Sequence, residues 1–236
     1  MIALTGATGQ LGHYVLQDLL KTVPASQIVA IVRNPAKAQS LSQQGVVVRQ
    51  ADYSDEAALT AALQGVDKLL LISSSEVGQR AVQHRNVINA AKAAGVKFIA
   101  YTSLLHADTS PLGLAAEHIA TEQMLADSGI AYALLRNGWY TENYLASAPA
   151  ALEHGVFIGA AGEGKIASAT RADYAAAAAR AHRMATPVPT VEVTNDADTL
   201  GVGRPDGEQD AADAVGLVLV RAEDVEGVTM PAFAKE

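Results

Sequence analysis

Apolar positions in this chain fall into short runs of consecutive residues, separated by longer stretches in which they recur every three or four residues. The first run, Ile2, Ala3 and Leu4, feeds directly into Gly6, Gly9 and Gly12. Beyond it Leu11, Tyr14, Val15 and Leu19 share one face of a 3.6-residue period and Pro24 marks its end, so a strand opens through a glycine turn into a helix. The alternation continues. Residues 28–32 read as a second strand ended by Arg33, Asn34 and Pro35, followed by a helix over about 36–43, a third strand at 46–48 and a short helix at 57–63 closed by Gly65. Residues 68–72 are apolar on both faces, which marks a strand in the buried middle of a parallel sheet. A helix over about 79–94 turns Val87, Ile88 and Ala91 inward with Gly95 as its C-cap. A strand at 98–102, a helix at 115–127 closing near Gly129 and a strand at 131–135 complete the series. Strands alternating with helices, joined by right-handed crossovers, predict an α/β fold: a doubly wound parallel sheet with helices on both faces.

The pattern changes near His182. From there to Glu236 the chain has no Tyr or Trp, Phe233 is its single Phe, and residues 194–213 are dominated by Asp, Glu, Gly, Thr and Pro. Large apolar groups return only at Val215 to Val220. Residues 1–181 are therefore expected to form one unit, and residues 182–236 an atypical segment, irregular or partly flexible.

Composition removes several function classes. The 236 residues contain no cysteine, so disulfides, thiolate catalysis and cysteine-bound metals are excluded, and the six histidines lack metal-ligand spacing. Seventeen basic against 25 acidic side chains leave a net charge of −8 with no long basic run, which argues against a nucleic-acid partner. Met1 opens a strand instead of a basic-then-apolar leader, and no segment approaches the roughly 20 apolar residues of a membrane span. No membrane insertion is expected, and the cytoplasm is the default location.

The glycine turn is the first candidate for chemistry. A tight turn after a strand needs a residue without side-chain clash, and a pyrophosphate reaches the unpaired N–H groups of the next helix only where no Cβ intervenes. Position right after the first strand is the context such a cradle requires. Arg33 stands at the end of the second strand, where a dinucleotide fold meets the adenosine ribose; a guanidinium there suits a 2′-phosphate and so NADP(H), the plain alternative being a solvated arginine. Lys37 nearby reads as an ordinary helix-surface lysine. Asp52 follows the third strand and could face the adenine or cap a helix. Ser73, Ser74 and Ser75 follow the buried strand at the sheet edge where ligands of open α/β folds collect. Residues 134–143 end a strand in a loop holding Asn137, Gly138, Trp139, Tyr140, Thr141, Glu142 and Asn143, placed for the nicotinamide end; Trp139 and Tyr140 could equally plug the sheet.

With these residues in place, the chain resembles the NmrA-like atypical short-chain dehydrogenase/reductases, and within them the branch of NADPH-dependent quinone oxidoreductases. The resemblance is carried by TGATGQLG at Thr5 to Gly12, IVRNPAKA from Ile31, ADYSD from Ala51 and LLLISSSE from Leu69. It continues with NVINAAKAAGVKFIAYTS from Asn86, LLRNGWYTEN from Leu134 and SATRADYAAAAA from Ser168. It implies a Rossmann-like fold with NADPH as cofactor. Gly6, Ala7, Thr8, Gly9, Gln10 and Leu11 would then hold the pyrophosphate, Arg33 the 2′-phosphate and Ser73 to Ser75 the ribose side. Asn137, Gly138, Trp139, Tyr140, Thr141 and Glu142 would hold the nicotinamide side, and Arg171 would be a further contact. The implied reaction is two-electron hydride transfer to a small-molecule quinone, without flavin or metal; a homodimer is left open.

Two departures qualify the resemblance. The Tyr and Lys that pass a proton to substrate in typical short-chain dehydrogenases are replaced by Leu114 and His118, leaving the catalytic residues unassigned. A quinone is electrophilic enough to take its protons from water, whereas a carbonyl needs an acid in the transition state. His118 itself reads as an exposed helix histidine. The second departure is the tail after about residue 181, which leaves a small or incomplete C-terminal substrate lobe. The same features suit an alternative, an NmrA-like NADP(H)-binding redox sensor without turnover.

Overall fold

The computed structural model describes residues 1–159, 168–183, 190–194 and 218–221. The first turn of the alternating pattern gives β1 (Ile2–Leu4) and α1 (Gln10–Leu20). After them come β2 (Ile28–Val32), α2 (Gln39–Gln43), β3 (Val47–Gln50), α3 (Glu56–Ala62), β4 (Lys68–Leu71), α4 (Arg80–Ala93), β5 (Phe98–Leu104), α5 (Ala115–Ser128) and β6 (Ala131–Asn137). Then follow β7 (Trp139–Tyr140), α6 (Ala148–His154), β8 (Ser168–Ala169), α7 (Arg171–Arg183), β9 (Thr190–Thr194) and β10 (Val218–Arg221).

An eight-stranded sheet has the order β10-β9-β6-β5-β4-β1-β2-β3, with every neighbouring pair parallel except the antiparallel β9 and β10. β7 and β8 form a separate two-stranded ribbon. The doubly wound parallel sheet expected from the sequence is thus the observed architecture. The boundary expected at residue 181 falls inside α7, and β9 and β10, from the segment set apart by its composition, lie in the main sheet.

Helices cover both faces. On one, Leu11, Val15, Leu16 and Leu19 of α1 pack with Tyr174, Ala177, Ala178 and Ala181 of α7 against Leu4, Ala30 and Leu70 of the sheet. On the other, Leu59, Val87, Ile88, Ala91 and Leu125 from α3, α4 and α5 cover Val29, Leu69 and Ile99. Each fully buried leucine or isoleucine contributes about 1.5–3 kcal/mol. The face of α1 differs from the expected one by a residue: Leu16 is buried, while Tyr14 lies partly exposed at the helix edge and lines a cleft.

Because β1 lies between β4 and β2, successive crossovers leave it in opposite directions and a crevice opens at its carboxyl end. The walls are tied together. Ile72 donates its backbone N–H to Thr5 Oγ1 at 3.1 Å, the Tyr53 hydroxyl donates to the Ile72 carbonyl at 2.7 Å, and Ser73 N–H donates to Thr102 Oγ1 at 2.8 Å.

Candidate cofactor site

The glycine turn meets its packing demands in distinct ways. Gly6 has φ of +61°, a left-handed conformation that favours glycine, and its carbonyl accepts from Gly9 N–H at 2.9 Å. A Cβ on Gly9 would lie 3.1 Å from the Gly6 oxygen, and one on Gly12 would lie 2.4 Å from the same oxygen and 2.9 Å from Ala7 Cα. Gly12 is therefore required for α1 to start tight against the turn. Gly9 is the N-cap and no side chain caps α1, so the first-turn N–H groups keep their hydrogen-bonding capacity and the positive end of the helix dipole for a ligand. Over this turn lies an open cleft of about 380 Å³, bounded by Ala7, Thr8, Gly9 and Gln10 on one side and by Glu142 and Arg171 on the other. The uncapped helix start and the arginine in the lining suit an anionic group such as a dinucleotide's pyrophosphate. The side chain of Leu11 belongs to the core, so only its backbone serves the cradle.

After β2, where the sequence leads one to expect the adenosine, Arg33 is 67% exposed and its Nη1 donates to Glu76 Oε1 at 3.1 Å. Asp52 does not cap a helix. It accepts from both N–H and hydroxyl of Ser54, which holds its carboxyl below the usual carboxylate range, while Asp55 caps α3 through Ala58 N–H at 2.9 Å. The three serines diverge. Ser73 is half-buried and Ser75 exposed after β4, whereas the Ser74 side chain is turned inward. Its hydroxyl donates to Gln83 Oε1, its N–H to His84 Nε2 at 2.9 Å, and its carbonyl accepts from Arg80 Nε at 2.8 Å. All its polar groups are thus engaged with α4.

The segment expected as a loop is ordered backbone. Asn137 closes β6 opposite Leu104, Gly138 links to β7, and Thr141–Ser147 is a 3₁₀ turn whose Thr141 hydroxyl donates to Ser168 Oγ at 3.2 Å. Pairing of Trp139 with Ser168 and of Tyr140 with Ala169 gives this stretch backbone partners that its local sequence does not reveal. Trp139 is 47% exposed and is no plug over the sheet. Tyr140 instead packs inward, its ring 5.2 Å from that of Tyr174, with Arg171 Cζ 4.6 Å over its face. Burial raises the Tyr140 phenol pKa, and the Asn137 amide, 3.4 Å from the phenol oxygen, opposes the shift.

Arg171 is fixed from several directions. Its N–H donates to Glu142 Oε1 at 2.8 Å, Nη2 donates to Asn143 Oδ1 at 2.9 Å, and Nη1 lies 3.5 Å from Glu142 Oε2. Thr170 and Asp173 cap α7 reciprocally: Thr170 N–H and hydroxyl donate to Asp173 Oδ2, and Asp173 N–H returns to Thr170 Oγ1 at 3.2 Å. The guanidinium is thereby placed by the start of α7 at the wall of the cleft.

His118 also differs from expectation. It is buried, 5% exposed, with Nδ1 2.7 Å from the Tyr101 hydroxyl. Burial, helped by the nearby Arg80 charge, holds its pKa down to about 4, so it is neutral at pH 7 and shares a hydrogen bond with the phenol. The pattern of α5 hides this because its partner stands on β5. Leu114 precedes α5 and offers no proton. Lys37, set aside on the sequence, lines the cleft with His13 and Tyr14. It lies in the 3₁₀ turn Pro35–Ala38 that follows β2 and is capped by Asn34.

Residues 6–183 match the model of a family described as NAD(P)H-binding. The chain belongs to this NAD(P)H-binding family. Membership agrees with the NmrA-like resemblance of its motifs. Over 180 residues, 76% of this chain and 63% of the relative, it is 88% identical to quinone oxidoreductase 2 of Escherichia coli (strain K12). Among solved structures, the NADPH-dependent quinone oxidoreductase QOR2 of Escherichia coli complexed with NADPH matches with a TM-score of 0.78 at 84% identity, covering 80% of this chain and 67% of that one. Citrobacter sp. triphenylmethane reductase complexed with NADP(H) matches with a TM-score of 0.79 at 44% identity, covering 82% and 69%. The chain spans under two thirds of the length of the curated relatives it matches.

Proposed function

We propose that this NAD(P)H-binding protein is an NADPH-dependent reductase that passes two electrons to a quinone without flavin. The observation that carries the reading is the 88% identity to a quinone oxidoreductase over 180 residues. Backbone N–H groups from Gly6 to Leu11 hold the pyrophosphate, Arg33 the 2′-phosphate, and Ser73 to Ser75 the ribose side. Asn137, Gly138, Trp139, Tyr140, Thr141, Glu142 and Arg171 frame the nicotinamide end. When bound, NADPH would supply a hydride to the quinone and leave as NADP⁺, and the resulting hydroquinone anion would take a single proton from water.

The chain contributes orientation more than acid catalysis. Arg171, fixed by Glu142, Asn143 and the Tyr140 ring, presents a rigid wall, and rigid placement of two reactants lowers the entropic part of the barrier. Leu114 has no proton to give, and neutral His118 is occupied with Tyr101. An acceptor that needs little acid help fits such a site. A net charge of −8 without a basic run argues against a nucleic-acid partner. Among the described residues no helix is long and apolar enough to cross a membrane.

Steady-state oxidation of NADPH by purified protein with a panel of simple quinones tests the reading, together with a direct titration of nucleotide binding. Quinone-dependent oxidation is expected. Normal nucleotide binding with no oxidation of NADPH would sink it in favour of a redox sensor, the second reading, which the engagement of His118 away from the cleft also suits.

A further inference from the structure

Arg33 and Glu76 meet across the crevice. Arg33 follows β2 and Glu76 follows β4, and these strands flank β1, so their 3.1 Å ion pair spans the carboxyl end of the strand that leads into Gly6. The two partners are not held alike. Glu76 Oε2 accepts from Gln83 Nε2 at 2.8 Å, and its N–H donates to Ser74 Oγ at 3.2 Å. Gln83 in turn accepts from the Ser74 hydroxyl, and both belong to a buried group rooted in α4. The carboxylate is therefore anchored. The Arg33 side chain is a long, mostly exposed arm; its backbone carbonyl is fixed by Gln50 Nε2 at 3.1 Å, but its guanidinium leans on Glu76.

We propose that Glu76 is a specificity-determining residue of the cofactor site, which holds the Arg33 guanidinium in the absence of nucleotide and yields it to the 2′-phosphate of NADPH. The inference rests on the reading of Arg33 as the 2′-phosphate ligand. Two physical effects act together. Arg33 must leave one anionic partner to serve another, and the arriving phosphate meets a carboxylate that Gln83 and Ser74 keep in place. Neither effect touches a nucleotide that lacks the 2′-phosphate. Glu76 thus holds the preference for NADPH over NADH below what Arg33 alone would produce. An exposed pair of this kind is modest in strength, so the effect is a tuning of affinity by about two- to fivefold.

The test uses adenosine fragments, which report on this end of the site apart from turnover. Binding of 2′,5′-ADP and 5′-AMP to the full chain is measured by calorimetry for wild type, Glu76→Gln and Arg33→Ala. Glu76→Gln is expected to tighten 2′,5′-ADP by about two- to fivefold, with 5′-AMP unchanged. The proposal is overturned if 2′,5′-ADP binds Glu76→Gln no better than wild type, or if both fragments gain alike; an equal gain would make the pair a strap over the adenosine. Arg33→Ala separates the two levels of inference. Selective loss of 2′,5′-ADP upholds the role of Arg33 whatever Glu76 does, whereas equal loss of both fragments removes that role and the proposal with it. Thermal unfolding without ligand checks that each variant is folded.

Discussion

A methyl group at position 12 would stand 2.4 Å from the Gly6 carbonyl oxygen and 2.9 Å from Ala7 Cα, both main-chain atoms that no rotamer change can move. Gly12→Ala is therefore expected to lower stability by about 1–3 kcal/mol in urea unfolding, and to weaken NADPH at least ~10-fold in a fluorescence titration. A variant that keeps both properties would show that the turn yields without consequence. Arg33→Glu reverses the charge at the proposed 2′-phosphate site. Loss of charge-assisted hydrogen bonds, about 1.5–3 kcal/mol, corresponds to NADPH binding weakened about 10- to 100-fold, with NADH much less affected; equal loss for both nucleotides would deny Arg33 its role. The glycines and Arg33 are legible in sequence because their demands are local: a turn, a helix start and a strand end. Ser74 and His118 are not, since the groups that bury them come from α4 and β5 and a linear pattern does not bring these together.

At the scale of elements, the start of α7 is the feature that turns a cradle into a two-walled cleft. The reciprocal cap of Thr170 and Asp173 fixes its first turn, and that turn carries Arg171. Thr170→Ala is expected to cost about 1 kcal/mol of unfolding free energy. It should also weaken NADPH and NADH by similar factors, because the wall they share loosens while the Arg33 end stays intact. A change in the ratio of the two affinities would contradict that division of labour. Element identity up to β6 was largely legible from hydrophobic period, with ends displaced by one or two residues, although the helix expected over 36–43 opens as the 3₁₀ turn Pro35–Ala38. Residues 137–143 were not legible. Their structure is decided by the pairing of β7 with β8, about thirty positions away, and by an Asn137 that extends β6 opposite Leu104.

The whole molecule carries three buried histidines, His84, His118 and His182, whose pKa values burial lowers to about 3, 4 and 4; the Arg80 charge adds to the first two. His84 accepts from Ser74 N–H through Nε2, so its Nδ1 bears the proton given to Thr121 Oγ1 and the ring is neutral. A histidine held neutral in the fold but titrating near 6.5 when unfolded has no effect on stability well above that pH. As pH falls below it, the unfolded chain takes up protons that the fold refuses, at about 1.4 kcal/mol per pH unit for each group, until the folded pKa is reached. Urea unfolding between pH 7.5 and 4.5 should therefore show stability falling as pH falls below about 6.5; a flat profile would show that these rings are not neutral in the fold. The amino-acid sequence by itself determined the alternating sheet, the glycine turn and the cation at the end of β2, because period, glycine and charge act within a few residues of one another. Tertiary structure alone decided that Arg33 faces Glu76, that Ser74 and His118 turn inward, and that Lys37 and Arg171 border one cleft. Those outcomes depend on distances between strands and helices far apart in the chain, which only their packing against a common sheet creates.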